Sequence, residues 1–306
     1  MNADEDLPAA APAEPIPGAA AIGGQPFRSR PVSFVRRGSR LQGRRREAWD
    51  ELADEYLISV PRITTDTSVA PDFTLDVDTA FGRSAPLVVE VGSGLGEAIA
   101  HMAEREPGRN FLALEVYRPG LAQTMLRIDQ KDLANVRVAQ VNAAEALATM
   151  LPESSVDELW VYFPDPWHKA RHLKRRLVQQ GFVDLAARVL APGSLFRLAT
   201  DWSSYGVQMR SVLNASPDFE NLHDGERTGA LSPLTQVWES GVELVVGGAP
   251  IREGKDPVST GNTGVNEGTD TLGGWAPRFE GRPLTSFENK AIEAGRMVFD
   301  LTHRRR

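Results

Sequence analysis

An α/β fold with a mostly parallel sheet and helices on both faces is the architecture this sequence predicts, and three observations predict it. Five short runs rich in Val, Leu, Ile and Phe, at residues 87–91, 110–116, 136–141, 158–163 and 194–199, alternate with helix-length segments. The first run ends in a glycine-rich turn, and the fourth ends in an aspartate bracketed by two prolines. Parallel strands need crossovers long enough for a helix, so this alternation reads as a parallel sheet rather than a set of hairpins.

The elements follow in chain order. Residues 1–27 are rich in Ala, Pro and Gly with scattered acids, too poor in apolar surface to offset ordering entropy, and read as a disordered extension. Residues 28–50 turn basic, with Arg28, Arg30, Arg36, Arg37, Arg40, Arg44, Arg45 and Arg46, and read as an arm. The main domain is expected over residues 51–306. It is interrupted at about 247–281 by a Gly-, Thr- and Asn-rich stretch that reads as a mobile surface insertion. Order is expected to return at 283, with Ser286 capping a helix through Glu293 and beyond, and the chain ending in an Arg304-Arg305-Arg306 tail.

The chain has 306 residues, 41% of them hydrophobic, a net charge of −7 and no cysteine. Disulfides and thiolate metal sites are excluded, no metal is expected, and no stretch approaches a membrane span or a secretory signal, which points to a cytoplasmic protein. The acidic total does not exclude a polyanionic partner, because the charges are segregated along the chain.

Val88-Val89-Glu90-Val91-Gly92-Ser93-Gly94-Leu95-Gly96 is a strand entering a glycine turn, with a helix expected from Glu97 to about Arg105. A dinucleotide site would place its third glycine at position 97. An acid stands there instead, and at a helix start it repels phosphate, so a ligand without phosphates fits better. S-adenosylmethionine is such a ligand, with a sulfonium and an ammonium that Glu90 can help neutralise. Gly92 and Gly94 let the backbone pass close to it. Glu115 closes the second strand about twenty residues past the loop, where a carboxylate accepts bonds from ribose hydroxyls. Asn142 and Ala143 end the third, offering an amide acceptor and a backbone N–H to an adenine ring. Taken for structure alone, the glycines make a turn and Glu115 and Asn142 are polar strand ends. The ligand reading gains from their standing at successive strand ends.

In Trp160-Val161-Tyr162-Phe163-Pro164-Asp165-Pro166-Trp167-His168-Lys169-Ala170-Arg171-His172-Leu173-Lys174-Arg175-Arg176, a buried strand delivers one carboxylate, followed at once by a basic segment. The prolines cannot donate ladder hydrogen bonds, so Asp165 is expected to project from the strand's carboxyl edge, where open α/β sheets bind ligands. A charge run is ordinarily a solvated helix face; this one begins three residues after the candidate acid.

Phe163-Pro164-Asp165-Pro166-Trp167-His168-Lys169-Ala170-Arg171-His172, Arg175-Arg176-Leu177, Thr200-Asp201 and Thr285-Ser286-Phe287-Glu288, in that order, make the chain resemble the bacterial tRNA (guanine-N7-)-methyltransferase family over residues 32–246 and 282–296. The resemblance implies a doubly wound, mostly parallel seven-stranded sheet of the class I S-adenosylmethionine-dependent methyltransferase type. The activity it implies is methylation of N7 of guanine 46 in the tRNA variable loop. It implies that Glu90, Glu115, Asn142 and Asp165 line the cofactor, with Asp165 the catalytic acid. Lys169, Arg171, Asp201, Thr285, Ser286, Phe287 and Glu288 correspond to substrate contacts. From the chemistry of guanine itself, Asp201 or Glu288 is expected to accept from its N1–H and amino group, a donor pair that adenine lacks. The chain departs from the family in having Asn142 where an aspartate is usual, in its N-terminal extension and in the insertion.

His168 to Arg176 are expected to supply cations to tRNA. Trp167 or Trp202 either stacks on the base or packs in the core, and the basic arm either holds tRNA phosphates or docks on the protein's own acidic surface. Methyl transfer to another RNA, or tRNA binding without turnover, are the alternative functions. Neither a membrane nor a protein partner is indicated.

Overall fold

The computed structural model describes residues 40–235 and 270–306, with the backbone of 245–246 and 249–250. Its strands are β1 Leu87–Val91, β2 Asn110–Glu115, β3 Val136–Gln140, β4 Val156–Tyr162, β5 Leu190–Thr200, β6 Phe219–Asn221 and β7 Phe299–Arg305. Among the described residues they form one seven-stranded sheet in the order β3-β2-β1-β4-β5-β7-β6. Strands β1 to β5 run parallel, and β7 enters antiparallel to both β5 and β6. This is the class I methyltransferase topology. Every residue of β1 is buried, as expected of a strand covered on both faces.

Helices α1 Arg44–Tyr56, α2 Val77–Phe81, α3 Glu97–Arg105, α4 Arg118–Gln130, α5 Ala143–Glu145, α6 Gln180–Val189, α7 Ser203–Ala215 and α8 Ser286–Glu293 surround the sheet. A core of Val88, Phe111, Val138 and Trp160 from the strands meets Ile99, Met102, Leu121 and Met125 from α3 and α4. Among the described residues no helix is long and apolar enough to cross a membrane.

After β3 the chain crosses to the far side of β1 to form β4. The sequence order therefore reverses between β1 and β4, and the crevice beyond their carboxyl ends is the position where open α/β sheets take ligands. Val91 is paired with Val161, which puts the glycine turn and the Pro164-Asp165-Pro166 loop side by side at that crevice.

Three expectations change. The chain's end is not a tail but β7, inserted in the sheet. Its polar residues are answered by distant partners, Asp300 by Arg282 (2.5 Å) and His303 by Asn214 (3.0 Å). Helix α8 starts one residue after its cap, Thr285, whose Oγ1 accepts from the Glu288 amide (3.2 Å). Of the segment expected to be a mobile insertion, 251–269 lie outside the described residues, but 270–281 are packed, with Trp275 at 0% exposure. Asp270 there accepts from Ser232 (2.7 Å), Trp275 (2.7 Å) and Arg210 (3.0 Å). Its glycines serve close packing: a β-carbon on Gly273 would stand 2.2 Å from the Glu226 carbonyl oxygen. The expected disordered extension, 1–27, and the arm up to residue 39 lie outside the described residues. Residues 44–50 of the arm are the opening turns of α1.

Candidate active site

The glycine turn is fixed from below by α4. Gly96 has φ 71°, and a β-carbon there would meet Thr124 of α4 at 2.5 Å, so the turn needs glycine for both conformation and space. The Gly92 amide donates to the Leu114 carbonyl (2.8 Å), and the Gly94 amide donates to Glu115 Oε2 (2.8 Å). Glu115 Oε1 accepts from the Val116 (2.7 Å) and Tyr117 (2.9 Å) amides. Burial raises the Glu115 carboxyl above the ordinary carboxylate range, these three amides pull it back, and the Asp165 charge raises it again. A carboxylate has about four lone-pair positions, so one remains for a ribose hydroxyl.

Glu90 lies beneath the turn on β1, 4% exposed, and its Oε2 finds no hydrogen-bond partner among the described residues. Burial pushes its carboxyl up to about 8; the Ile99 amide opposes this, and the Glu115 and Glu97 charges add to it. A buried carboxyl without a partner is costly when ionised, and a cation placed against it removes that cost. The donor set therefore fits the cationic, phosphate-free ligand that the sequence pointed to.

Asn142 and Ala143 stand at the far edge. The Asn142 Oδ1 caps α5 by accepting from the Ala144 amide (3.0 Å), and its backbone N–H donates to Thr67 (2.7 Å). Only the second lone pair of that oxygen is left for an adenine amino group. Thr67 belongs to a loop organised by buried Ser68, whose hydroxyl accepts from the Ile63, Thr64 and Thr65 amides at 3.2–3.3 Å. Sequence reading misses this wall, because nothing in Ile63-Thr64-Thr65-Asp66-Thr67-Ser68 is periodic.

Asp165 is solvent-exposed at the carboxyl edge of β4, and partial burial of its carboxyl raises its pKa. It is flanked by Phe163 (φ 50°) and Trp167 (φ 45°), two bulky residues in the left-handed region. Strain of this kind persists only where surroundings impose it, and it clusters at functional sites. Pairing of β1 with β4 brings the Asp165 loop and the Glu115-bonded glycine turn to the same end of the sheet, and the Asp165 charge helps raise the Glu115 carboxyl.

The basic segment divides. Lys169 and Arg171 are exposed, at and just inside the start of a 3₁₀ helix, Ala170–Arg175. Arg175 lies over the Trp167 ring (5.0 Å) and His172 meets its edge (5.7 Å). Arg176, expected to offer its charge to tRNA, is instead 4% exposed and spends its guanidinium on Pro166, Ser204 and Gln208. Trp202 is buried against His168, which favours packing over base stacking.

Helix α8 closes the site from the other side. The Ser286 amide donates to Glu97 Oε2 (2.8 Å), and Phe287, 51% exposed, lies against the turn, its Cε2 3.6 Å from where a Gly94 β-carbon would stand. Asp201 is half-buried and paired with Arg296 (2.8 Å). Glu288 is held by its own chain: it is 2% exposed, with both oxygens taken by Arg278 (2.6 and 2.9 Å) and Arg282 (3.2 Å each). Of the two candidate acids for the guanine edge, Asp201 is the more exposed.

A family model described as "Putative methyltransferase" matches residues 84–244. The tRNA (guanine-N(7)-)-methyltransferase of Paenarthrobacter aurescens is 63% identical over 280 residues, which cover 92% of this chain and 93% of that protein. The protein of the same name from Arthrobacter sp. strain FB24 is 63% identical over 279 residues, 91% of this chain and 88% of that one. A third, from Cutibacterium acnes, is 38% identical over 274 residues, 90% of this chain and 83% of that one.

Proposed function

The chain belongs to the tRNA (guanine-N(7)-)-methyltransferase family, and from that premise we propose that it methylates N7 of guanine 46 in the tRNA variable loop, with S-adenosylmethionine as methyl donor. The observation that carries the reading is the union of the Glu115-bound Gly94 turn with Asp165 at the β1/β4 crevice.

Glu90, the Gly92 and Gly94 backbone, Glu115, Asn142 and Ala143 would hold S-adenosylmethionine, which supplies an electrophilic methyl group on a cationic sulfur. Guanine N7 carries an in-plane lone pair at neutral pH, so the chain needs no strong base. Its task is alignment, and good orientation of reacting groups is worth roughly 7–11 kcal/mol. Asp165 stabilises the positive charge growing on the purine. Asp201, steered by Arg296, accepts from the N1–H and amino group that distinguish guanine from adenine. Phe287 offers an exposed ring beside the turn for the extruded base, and Thr285 and Ser286 frame it. Turning a base out of folded RNA costs a few kcal/mol, offset by binding to phosphates, for which Lys169 and Arg171 are placed.

The test is incubation with labelled S-adenosylmethionine and unmodified tRNA, followed by chain cleavage at the modified base. One cleavage in the variable loop is the expected result, and Asp165→Ala of unchanged fold should slow single-turnover methylation by 100-fold or more, on the order of what removing one electrostatic stabiliser costs. Label at another position, or none, overturns the reading.

A further inference from the structure

Glu97 is the residue that departs from the dinucleotide pattern, and the proposed chemistry gives it no task. It is the first residue of α3, directly after the turn, and its Oε2 accepts from the first amide of α8, Ser286, 189 residues away (2.8 Å). Its Oε1 lies 3.7 Å from Nη2 of Arg127 on α4, and Arg127 Nε donates to the carbonyl of Leu95 within the turn (2.9 Å). One carboxylate at the start of α3 thus caps the N-terminus of α8 and faces the arginine that holds the turn. The Ser286 amide is one that the helix itself cannot satisfy. Phe287, the next residue, rests against Gly94. The turn that holds the donor and the helix that carries Thr285 to Phe287 share this carboxylate.

We propose that Glu97 is a positioning residue which, by accepting the Ser286 amide from its place beside the glycine turn, couples occupancy of the donor site to recognition of the tRNA base. The proposal rests on the functional reading above. An acid at a helix start stabilises that helix in any case. If that were its whole task, losing Glu97 would lower thermal stability and leave each ligand's effect on the other untouched. Coupling is a free energy shared between two sites and is reciprocal, so it is read from affinities rather than from turnover.

The experiment measures tRNA affinity of the full chain with and without saturating S-adenosylhomocysteine, and S-adenosylhomocysteine affinity with and without tRNA. In the unaltered protein each ligand is expected to tighten the other about fivefold or more, the lower end of ordinary coupling. In Glu97→Ala each ligand alone binds within about twofold of the unaltered protein, and the mutual effect falls toward one. Glu97→Gln, which keeps an acceptor oxygen, restores most of it. Ser286→Pro offers a second route: proline is favoured at the first helical position, it removes the donating N–H and the hydroxyl, and its ring displaces the Glu97 carboxylate from the helix start. It should reproduce the loss of coupling, whereas Ser286→Ala, which keeps the N–H, should not. Unchanged mutual effects in Glu97→Ala or Ser286→Pro, or an unaltered protein whose ligands ignore each other, overturn the proposal. An unaltered protein that binds neither ligand overturns the functional reading, and this proposal with it.

Discussion

Arg176 Nε donates to the carbonyl of Pro166 at 2.7 Å, so the last cation of the basic segment holds the loop that carries Asp165. Its other donors reach the Ser204 carbonyl (3.2 Å), the Ser204 hydroxyl (3.0 Å) and Gln208 (2.8 Å), which ties that loop to α7. Removing a buried donor set of this kind leaves several acceptors unsatisfied, at about 1–3 kcal/mol each where water cannot reach. Arg176→Met is therefore expected to lower stability by about 3 kcal/mol in urea unfolding and to reduce kcat, while the salt dependence of tRNA affinity stays as it was. A reduced salt slope would return Arg176 to the phosphate-binding set.

Glu90 makes donor binding pH-dependent. Its carboxyl keeps its proton to about 8 in the folded, ligand-free protein, because of burial first and of the Glu115 and Glu97 charges after that, whereas an unfolded chain releases it in the ordinary carboxylate range. The folded state thus holds more protons across that window, and stability of the ligand-free protein falls as pH rises through it. A cationic donor favours the ionised form, so its affinity should rise with pH up to about 8, and binding at pH 7 should release a proton. Calorimetry in buffers of different ionisation enthalpy measures that proton. Glu90→Gln is expected to raise the ligand-free Tm, weaken S-adenosylmethionine binding and release less; undiminished release would assign the proton to Glu115.

The strands and the turn are legible in the sequence because their signals are local. Strands β1, β2 and β4 are largely buried apolar runs, α3 follows its glycines directly, and the prolines around Asp165 act on their own neighbours. What is not legible depends on partners far along the chain. The polar residues of β7 look like a tail until Arg282 and Asn214 answer them, and Asp270 to Gly281 look loose until Arg210 and Ser232 close on Asp270. A run of like charges does not say which of its members turns inward, which is why sequence alone groups Arg176 with Lys169 and Arg171. The motif around Glu288 marks a segment that packs beside the glycine turn, but not which of its side chains are tied up by distant arginines.

Glu288 and Asp201 should therefore fail differently. Burial alone would raise the Glu288 carboxyl, but bonds from Arg278 and Arg282 hold it below the usual range. Its stabilisation is present at neutral pH and lost as pH falls through that lowered value. Glu288→Ala leaves buried Arg282 short of a partner, and breaking a buried pair costs about 3–5 kcal/mol. Asp201→Ala opens a partly exposed pair worth about 1 kcal/mol or less, yet is expected to abolish discrimination between guanine and adenine. Urea unfolding alongside single-turnover methylation separates the two, and a Glu288→Ala protein of full stability that has lost only activity would contradict the anchoring assignment.

Lys169 and Arg171 are exposed at the start of the 3₁₀ helix, four and six residues beyond Asp165. A solvated charge adds little to fold stability, so their substitution should leave unfolding unchanged. Phosphate binding has a distinct signature. Each neutralised phosphate releases counterions, so the slope of log K against log salt shrinks by about 0.7–0.9 for every phosphate left without its cation. Lys169→Ala with Arg171→Ala is expected to flatten the slope for tRNA by up to about 1.8 while S-adenosylmethionine affinity holds. On the proposed function these cations bind phosphates next to the reacting base, so the double substitution should also raise KM for tRNA more than it lowers kcat, since interactions made equally before and during methyl transfer change binding alone. A slope equal to that of the unaltered protein would make the segment a solvated face and shift the search for phosphate-binding groups to the arginines of the N-terminal arm.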